Sequence, residues 1–220
     1  MRKTLAIFDF DGTLFFETFD LNTFAINKSL ESIDLPPITQ DQLIQSIGDT
    51  LPNIVKRLIK TDDKEKVNHF CEVILSFADE YIQTRASFKP DVVQMIKTLK
   101  ESGATLCICS NGDKRYLYSL LDRFDLTEYF DTIWYAKEGI QKNEAVAIIK
   151  RKYESDRCFM IGDREEDIIA GKTNDCITIG VVAEYEGFSV SGAENFDISG
   201  ADYLISSHLD IIRIIAGKEK

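Results

Sequence analysis

The chain has 220 residues, enough for one sizeable core with a substantial insertion but short of two full-sized domains. Its 44% hydrophobic and 29% charged residues are those of a globular protein and exclude disordered, collagen-like and disulfide-scaffold classes. Acids outnumber bases 37 to 26, a net charge of −11 that argues against nucleic acid or an anionic membrane as partner.

Met1-Arg2-Lys3 and the apolar run after it start like a secretory signal, but Asp9 and Asp11 interrupt the run before it reaches signal length. No apolar stretch approaches the roughly 20 residues of a membrane helix. The cysteines (Cys71, Cys107, Cys109, Cys158, Cys176) are odd in number, mostly lie inside apolar segments and form no C-x-x-C pair. A cytoplasmic protein with free thiols is expected.

The first strand, Leu5 to Phe8, runs into Asp9-Phe10-Asp11-Gly12-Thr13-Leu14. Asp9 continues an apolar strand, so its carboxylate faces a costly desolvation unless a cation or hydrogen-bond donors meet it. Asp11-Gly12 suits a hairpin turn, but that reading leaves Asp9 unexplained, and the segment that follows is helical. A calcium loop of the EF-hand type needs glycine at its sixth position, whereas Gly12 is at the fourth.

From Phe15 to Phe88 the pattern is helical, over 19–33, 40–47, 51–59 and 65–83, punctuated by Pro36-Pro37 and Gly48. This predicts a helical insertion at 15–88 between the first and second strands of a core made of 1–14 and 89–220. Phe15, Phe16, Phe19 and Phe24 read as packing of that insertion and its hinge.

After Lys89, β-rich runs at 104–109, 132–134, 158–161, 177–181 and 203–205 mostly alternate with helical patterns at 91–101, 114–124, 144–153, 165–172 and 209–215. Alternation of this kind predicts an α/β fold with a parallel, Rossmann-like sheet. Ser110-Asn111-Gly112 follows the second strand and offers a hydroxyl and backbone N–H groups, with Gly112 permitting close approach of an oxyanion. Lys142 stands at the entrance to a later helix, with Lys137 a rival for the same role.

Gly162-Asp163-Arg164-Glu165-Glu166-Asp167 again ends an apolar strand and opens a helix. Helix capping explains much of this cluster. In an open parallel sheet, however, ligands bind beyond the carboxyl ends of the strands, where Asp9, Asp11, Asp163 and Asp167 would converge. Carboxylates meeting there repel unless a hard divalent cation sits among them, and all-oxygen ligation suits Mg²⁺.

On these motifs the chain resembles the haloacid dehalogenase superfamily of phosphotransferases, within the group related to phosphoglycolate phosphatase and β-phosphoglucomutase. Asp9 to Leu14 meet the D-x-D-G-T-L signature, Ser110-Asn111 the hydroxyl motif, Lys142 the lysine motif, and Gly162-Asp163 with Asp167 the terminal acid motif. Asn143 stands where proline commonly follows the lysine.

The resemblance implies that Asp9 is the nucleophile of an aspartyl-phosphate and that Asp11 is general acid, then general base. It implies a phosphoryl site made of Asp11, Gly12, Ser110, Asn111, Gly112 and Lys142. Mg²⁺ would be held by Asp9, the Asp11 carbonyl and Asp163, with Asp167 in support. It further implies that the helical insertion is a cap carrying specificity; within it, the loop at Gly48, Asp49 and Thr50 with nearby Lys56 and Arg57 is the candidate for substrate contacts.

Acids also outnumber bases within the insertion, so a small phosphorylated metabolite is expected rather than a polyanion, acted on by a monomer or weak homodimer. Asp11 favours phosphate-ester chemistry over dehalogenation. A sugar phosphomutase of the same fold is the alternative, and a non-catalytic phosphate-binding protein a third reading. Ala170-Gly171-Lys172-Thr173 is set aside as a phosphate loop because it ends a helix, and Gly187 to Ser191 because the second glycine of a nucleophile elbow is missing. His69 and His208 read as ordinary surface or cap residues. The polar stretch 183–200 receives no role.

Overall fold

The computed structural model describes residues 3–46, 48–137, 139–182 and 197–217. Most of the polar stretch 183–200, the set-aside Gly187 to Ser191 motif, Met1-Arg2 and Ile47 lie outside the described residues. The chain divides into two compact units, Met1–Phe16 with Phe88–Ser110 and Leu126–Lys220, and Glu17–Ser87 with Asn111–Asp125. Residues 111–125 thus group with the helical unit, whereas the expected division at 15–88 left them in the core.

The first unit is built on a parallel sheet of strands β1 (Thr4–Phe8), β2 (Thr105–Cys109), β3 (Thr132–Trp134), β4 (Arg157–Gly162), β5 (Ile177–Val181) and β6 (Tyr203–Ile205). Their spatial order is β3-β2-β1-β4-β5-β6. β1 is central because every side chain from Leu5 to Phe8 is apolar, and all are fully buried. Ile7 pairs with Cys107 of β2 on one side and Met160 of β4 on the other.

The order reverses between β1 and β4, so the crevice beyond their carboxyl ends is the topological switch point where ligands of such sheets bind. Helices of this unit are α5 (Pro90–Glu101), α7 (Lys142–Tyr153), α8 (Glu165–Thr173) and α9 (Leu209–Ile215). The helical pattern at 144–153 begins earlier than expected: Gln141 takes an extended N-cap conformation, which makes Lys142 the first helical residue. Asn143 then lies in the first turn, where backbone N–H groups have no intrahelical partner, so the proline common there is dispensable. Phe15, read from sequence among the insertion and hinge aromatics, packs with Phe10 and Phe88 in this unit at ring distances of 6.1 and 5.6 Å.

The helical unit contains α1 (Thr18–Glu31), α2 (Gln40–Ile44), α3 (Leu51–Ile59), α4 (Lys64–Thr84) and α6 (Lys114–Arg123). α4 is capped by Asp63, whose carboxylate accepts from the backbone N–H of Glu65 and Lys66. Its buried stripe, Val67, Phe70, Cys71, Ile74, Leu75, Ala78, Tyr81 and Ile82, follows helical spacing and packs against α1, α3 and α6. Arg115 of α6 donates to Asp79 and Glu72 of α4, which attaches 111–125 to this unit. α2 stops at Ile44, short of the pattern to 47, and Ser46 turns its hydroxyl back onto the Gln42 carbonyl. Among the described residues no helix is long and apolar enough to cross a membrane.

Candidate active site

Asp9 stands one residue past β1, and its N–H still donates to the Ile161 carbonyl at 2.8 Å, continuing the ladder with β4. Behind it the chain folds tightly: the Phe10 carbonyl accepts from Leu14 and Phe15 at 2.8 and 2.9 Å, and Gly12 has φ +77°, a conformation that favours glycine. Asp11 forms an isolated bridge with Phe15 in this loop. Ser110 occupies the matching place past β2, its N–H donating to the Trp134 carbonyl of β3 at 3.0 Å, and it is buried.

From the other side of the switch point, β4 delivers Asp163 and the first turn of α8 delivers Asp167. Asp9, Asp163 and Asp167 are all buried and offer carboxylate oxygens within 4.8 Å of one another. Lys142 enters the cluster from the start of α7, its Nζ donating to Asp9 Oδ1 at 2.8 Å and Asp167 Oδ1 at 2.7 Å. Glu166 lies 3.5 Å from the same ammonium. The rival Lys137 is stacked on Trp134 instead, 3.8 Å from its ring centroid.

Burial alone would depress the Lys142 pKa, but Asp167, Asp9 and Glu166 hold it well above the ordinary lysine value. The Asp167 carboxyl is pushed well up, first by burial and then by Asp9, Asp163 and Glu166, against the pull of Lys142. The excess of negative charge raises Lys142 and adds to the effect of burial on Asp167. Carboxylates about 5 Å apart repel by on the order of 3 kcal/mol per pair at an effective dielectric of ~20. Set against the Lys142 ammonium, which bonds Asp9 and Asp167, the three clustered carboxylates carry, when ionised, a formal surplus of two negative charges that a divalent cation would offset. The donor set is all oxygen, buried and clustered, and so fits Mg²⁺.

Further contacts fix the acids. Asp167 Oδ2 accepts from the Arg164 N–H at 3.1 Å, so one carboxylate both caps α8 and holds Lys142. Gly162 makes room for it, since a Cβ there would sit 2.3 Å from the Asp167 side chain. The Thr13 hydroxyl donates to Asp163 Oδ1 at 3.2 Å.

The helical unit holds the remaining candidates. Asn111 Nδ2 donates to the Gly48 carbonyl at 2.9 Å, which joins the hydroxyl-motif asparagine to the loop expected to contact substrate. Gly112 follows Asn111 in the same unit. Asp49 is already satisfied by the Thr50 N–H, Asn53 and Arg57. Burial raises its pKa, but these partners, Arg57 foremost, hold it below the ordinary aspartate value. Arg57 is therefore engaged, and Lys56 is the partly exposed cation of α3 beside it.

His208, expected at the surface or in the insertion, is instead a buried residue of the α/β unit, and sequence reasoning gave it no role. Its Nε2 donates to the Thr13 carbonyl at 2.8 Å.

A family model described as haloacid dehalogenase-like hydrolase matches residues 6–181. Phosphoglycolate phosphatase of Agrobacterium fabrum is 27% identical over 190 residues, covering 82% of this chain and 81% of that protein. Among solved structures, a predicted phosphoglycolate phosphatase from Haemophilus somnus superposes with a TM-score of 0.79 at 19% identity, over 97% of this chain and 98% of that one. CbbY from Rhodobacter sphaeroides, solved in complex with phosphate, gives 0.74 at 16% identity over 96% of each chain. These two structures are alike in fold.

Proposed function

The chain belongs to the haloacid dehalogenase-like hydrolase family, and on that premise we propose that it is a Mg²⁺-dependent phosphatase of small phosphate monoesters, acting through an aspartyl-phosphate. The observation that carries this reading is the ammonium of Lys142 clamped between the buried carboxylates of Asp9 and Asp167 at the switch point of the sheet. Phosphoryl transfer demands positioning and neutralisation of charge more than covalent chemistry, and this cluster is suited to both.

In the proposed reaction an Asp9 oxygen attacks phosphorus, the ester P–O bond breaks, and Asp11 gives a proton to the departing alkoxide. Water then attacks the phosphorus of the aspartyl-phosphate, Asp11 takes its proton, and inorganic phosphate leaves with Asp9 restored. Lys142 and Ser110 hold the phosphoryl oxygens, aided by the backbone N–H groups of Asn111 and Gly112; the Gly12 N–H is committed to the Phe15 carbonyl, so Gly12 contributes through the tight turn it allows. Asp9, the Asp11 carbonyl and Asp163 would hold Mg²⁺, which offsets the charge of the phosphoryl group when bound. Asp167 keeps Lys142 in place.

The relative from Agrobacterium fabrum supports phosphoglycolate as a first substrate to assay. We assign leaving-group recognition to the helical unit, with the loop around Gly48, Asp49 and Thr50 and the cation Lys56 as contacts. Free, buried thiols accord with a cytoplasmic setting.

The test is turnover of a panel of phosphate monoesters with and without Mg²⁺, alongside Asp9→Asn. The reading expects Mg²⁺-dependent release of phosphate by the wild type and none by the variant. An inert panel, or full activity in Asp9→Asn, contradicts it, and sugar-phosphate isomers as products select a phosphomutase.

A further inference from the structure

The geometry points to His208 as a positioning residue for the metal-binding acids, acting through Thr13; the inference rests on the phosphatase reading above. His208 follows β6 and precedes α9, 195 positions from Thr13 in sequence. His208 is only 3% exposed, and Phe16 meets its ring edge-on at 5.4 Å. A carbonyl carries no proton, so the 2.8 Å contact with Thr13 O requires the proton to be on Nε2. Nδ1 faces Asp91 Oδ2 at 3.4 Å, and Asp91 is anchored in turn at the start of α5, where its other oxygen accepts from the Val92 N–H.

The consequence lies one residue further on. Thr13 is fully buried and is held from two directions: its carbonyl by His208, and its own hydroxyl on Asp163 Oδ1 at 3.2 Å. Fixing the carbonyl fixes the orientation of the residue, and with it the direction from which the hydroxyl meets Asp163. The hydrogen-bonded chain His208, Thr13, Asp163 ties the connection between β6 and α9 to the loop after β1. A metal-ligating carboxylate is held in its working orientation by hydrogen bonds from outside the ligand set, and His208 supplies the outermost of these.

The test compares His208→Gln, His208→Asn and His208→Ala by calorimetric Mg²⁺ binding, by kcat and KM on an aryl phosphate, and by thermal unfolding. A glutamine amide nitrogen reaches the place of Nε2, whereas an asparagine amide reaches only that of Nδ1. The expected result is Mg²⁺ affinity about 10-fold weaker in the asparagine and alanine variants and restored within about threefold in the glutamine variant, a size usual for outer partners of metal ligands. The loss falls on kcat rather than on KM for the ester.

Thr13→Val weakens Mg²⁺ by itself, and combining it with His208→Asn adds little, because both act through the same hydroxyl. Unchanged Mg²⁺ affinity in folded His208→Asn, failure of glutamine to restore it, or full additivity with Thr13→Val overturns the inference. If instead the wild type binds no Mg²⁺ at all, the phosphatase reading falls, and this inference with it.

Discussion

At the scale of single residues, Lys142 meets more carboxylate than one ammonium can offset, and several outcomes follow from that imbalance. Lys142→Met leaves Asp9 and Asp167 buried without their shared cation. Unpairing a buried ion pair of this kind costs about 3–5 kcal/mol, so denaturant unfolding of the metal-free variant should show a loss of that order, partly recovered with Mg²⁺. The pH dependence has a definite sign. Asp167 has its folded pKa raised above the ordinary 3.8, so the stability it contributes is full below that value and is lost as pH rises through the raised one. Mg²⁺ binds the ionised carboxylates, so its gain in Tm should be larger at pH 8 than at pH 5; an equal gain at both removes the acid cluster as the binding site. Gly162→Ala places a Cβ 2.3 Å from the Asp167 side chain. It should lower phosphatase activity by at least about 10-fold while the protein still unfolds cooperatively.

Among secondary-structure elements, what sequence shows depends on how local the cause is. Every strand from β1 to β6 is legible because each is a short β-rich run between turn formers, and the ends found lie within a residue of those expected. The start of α7 is not legible from periodicity, because Lys142 and Asn143 are polar and the extended N-cap at Gln141 sets the boundary. Lys142 itself is visible only as part of an ordered set of motifs; nothing local distinguishes it from Lys137, whose aromatic stacking emerges from the fold. Strand β2 carries a consequence for stability. Burial, foremost among its causes, pushes the thiols of Cys107 and Cys109 up to about 12 from 9.0. The unfolded chain therefore loses these protons first, and stability declines as pH climbs from 9 toward 12. Cys107→Ala with Cys109→Ala should flatten that decline in urea unfolding series, and an unchanged slope assigns it to other groups.

On the scale of the whole molecule, two compact units share the chain unevenly, and the sequence conveys this only in part. The helical stretch after β1 is plain from its spacing, but α6 joins that unit through Arg115 and Asp79, a long-range pairing that no local pattern announces. His208 is hidden for the same reason: a lone histidine in a polar connection has no periodicity, and its partner lies at the other end of the chain. The acid cluster is legible because Asp9 and Asp163 follow apolar strands, where an unpaired carboxylate needs a reason to be, and Asp167 lies four residues beyond Asp163 in the first turn of α8. The net charge of −11 argues against polyanionic partners, whereas the proposed reaction rests on the few acids gathered at the switch point.

The most direct test of that argument is rapid acid quench of the enzyme during turnover of a small phosphate ester with Mg²⁺, followed by peptide mass spectrometry. The account predicts a phosphoryl group on the peptide that carries Asp9, at the Asp9 carboxylate and absent from Asp9→Asn. Steady turnover with that peptide unmodified, or a phosphoryl group on another residue, contradicts it.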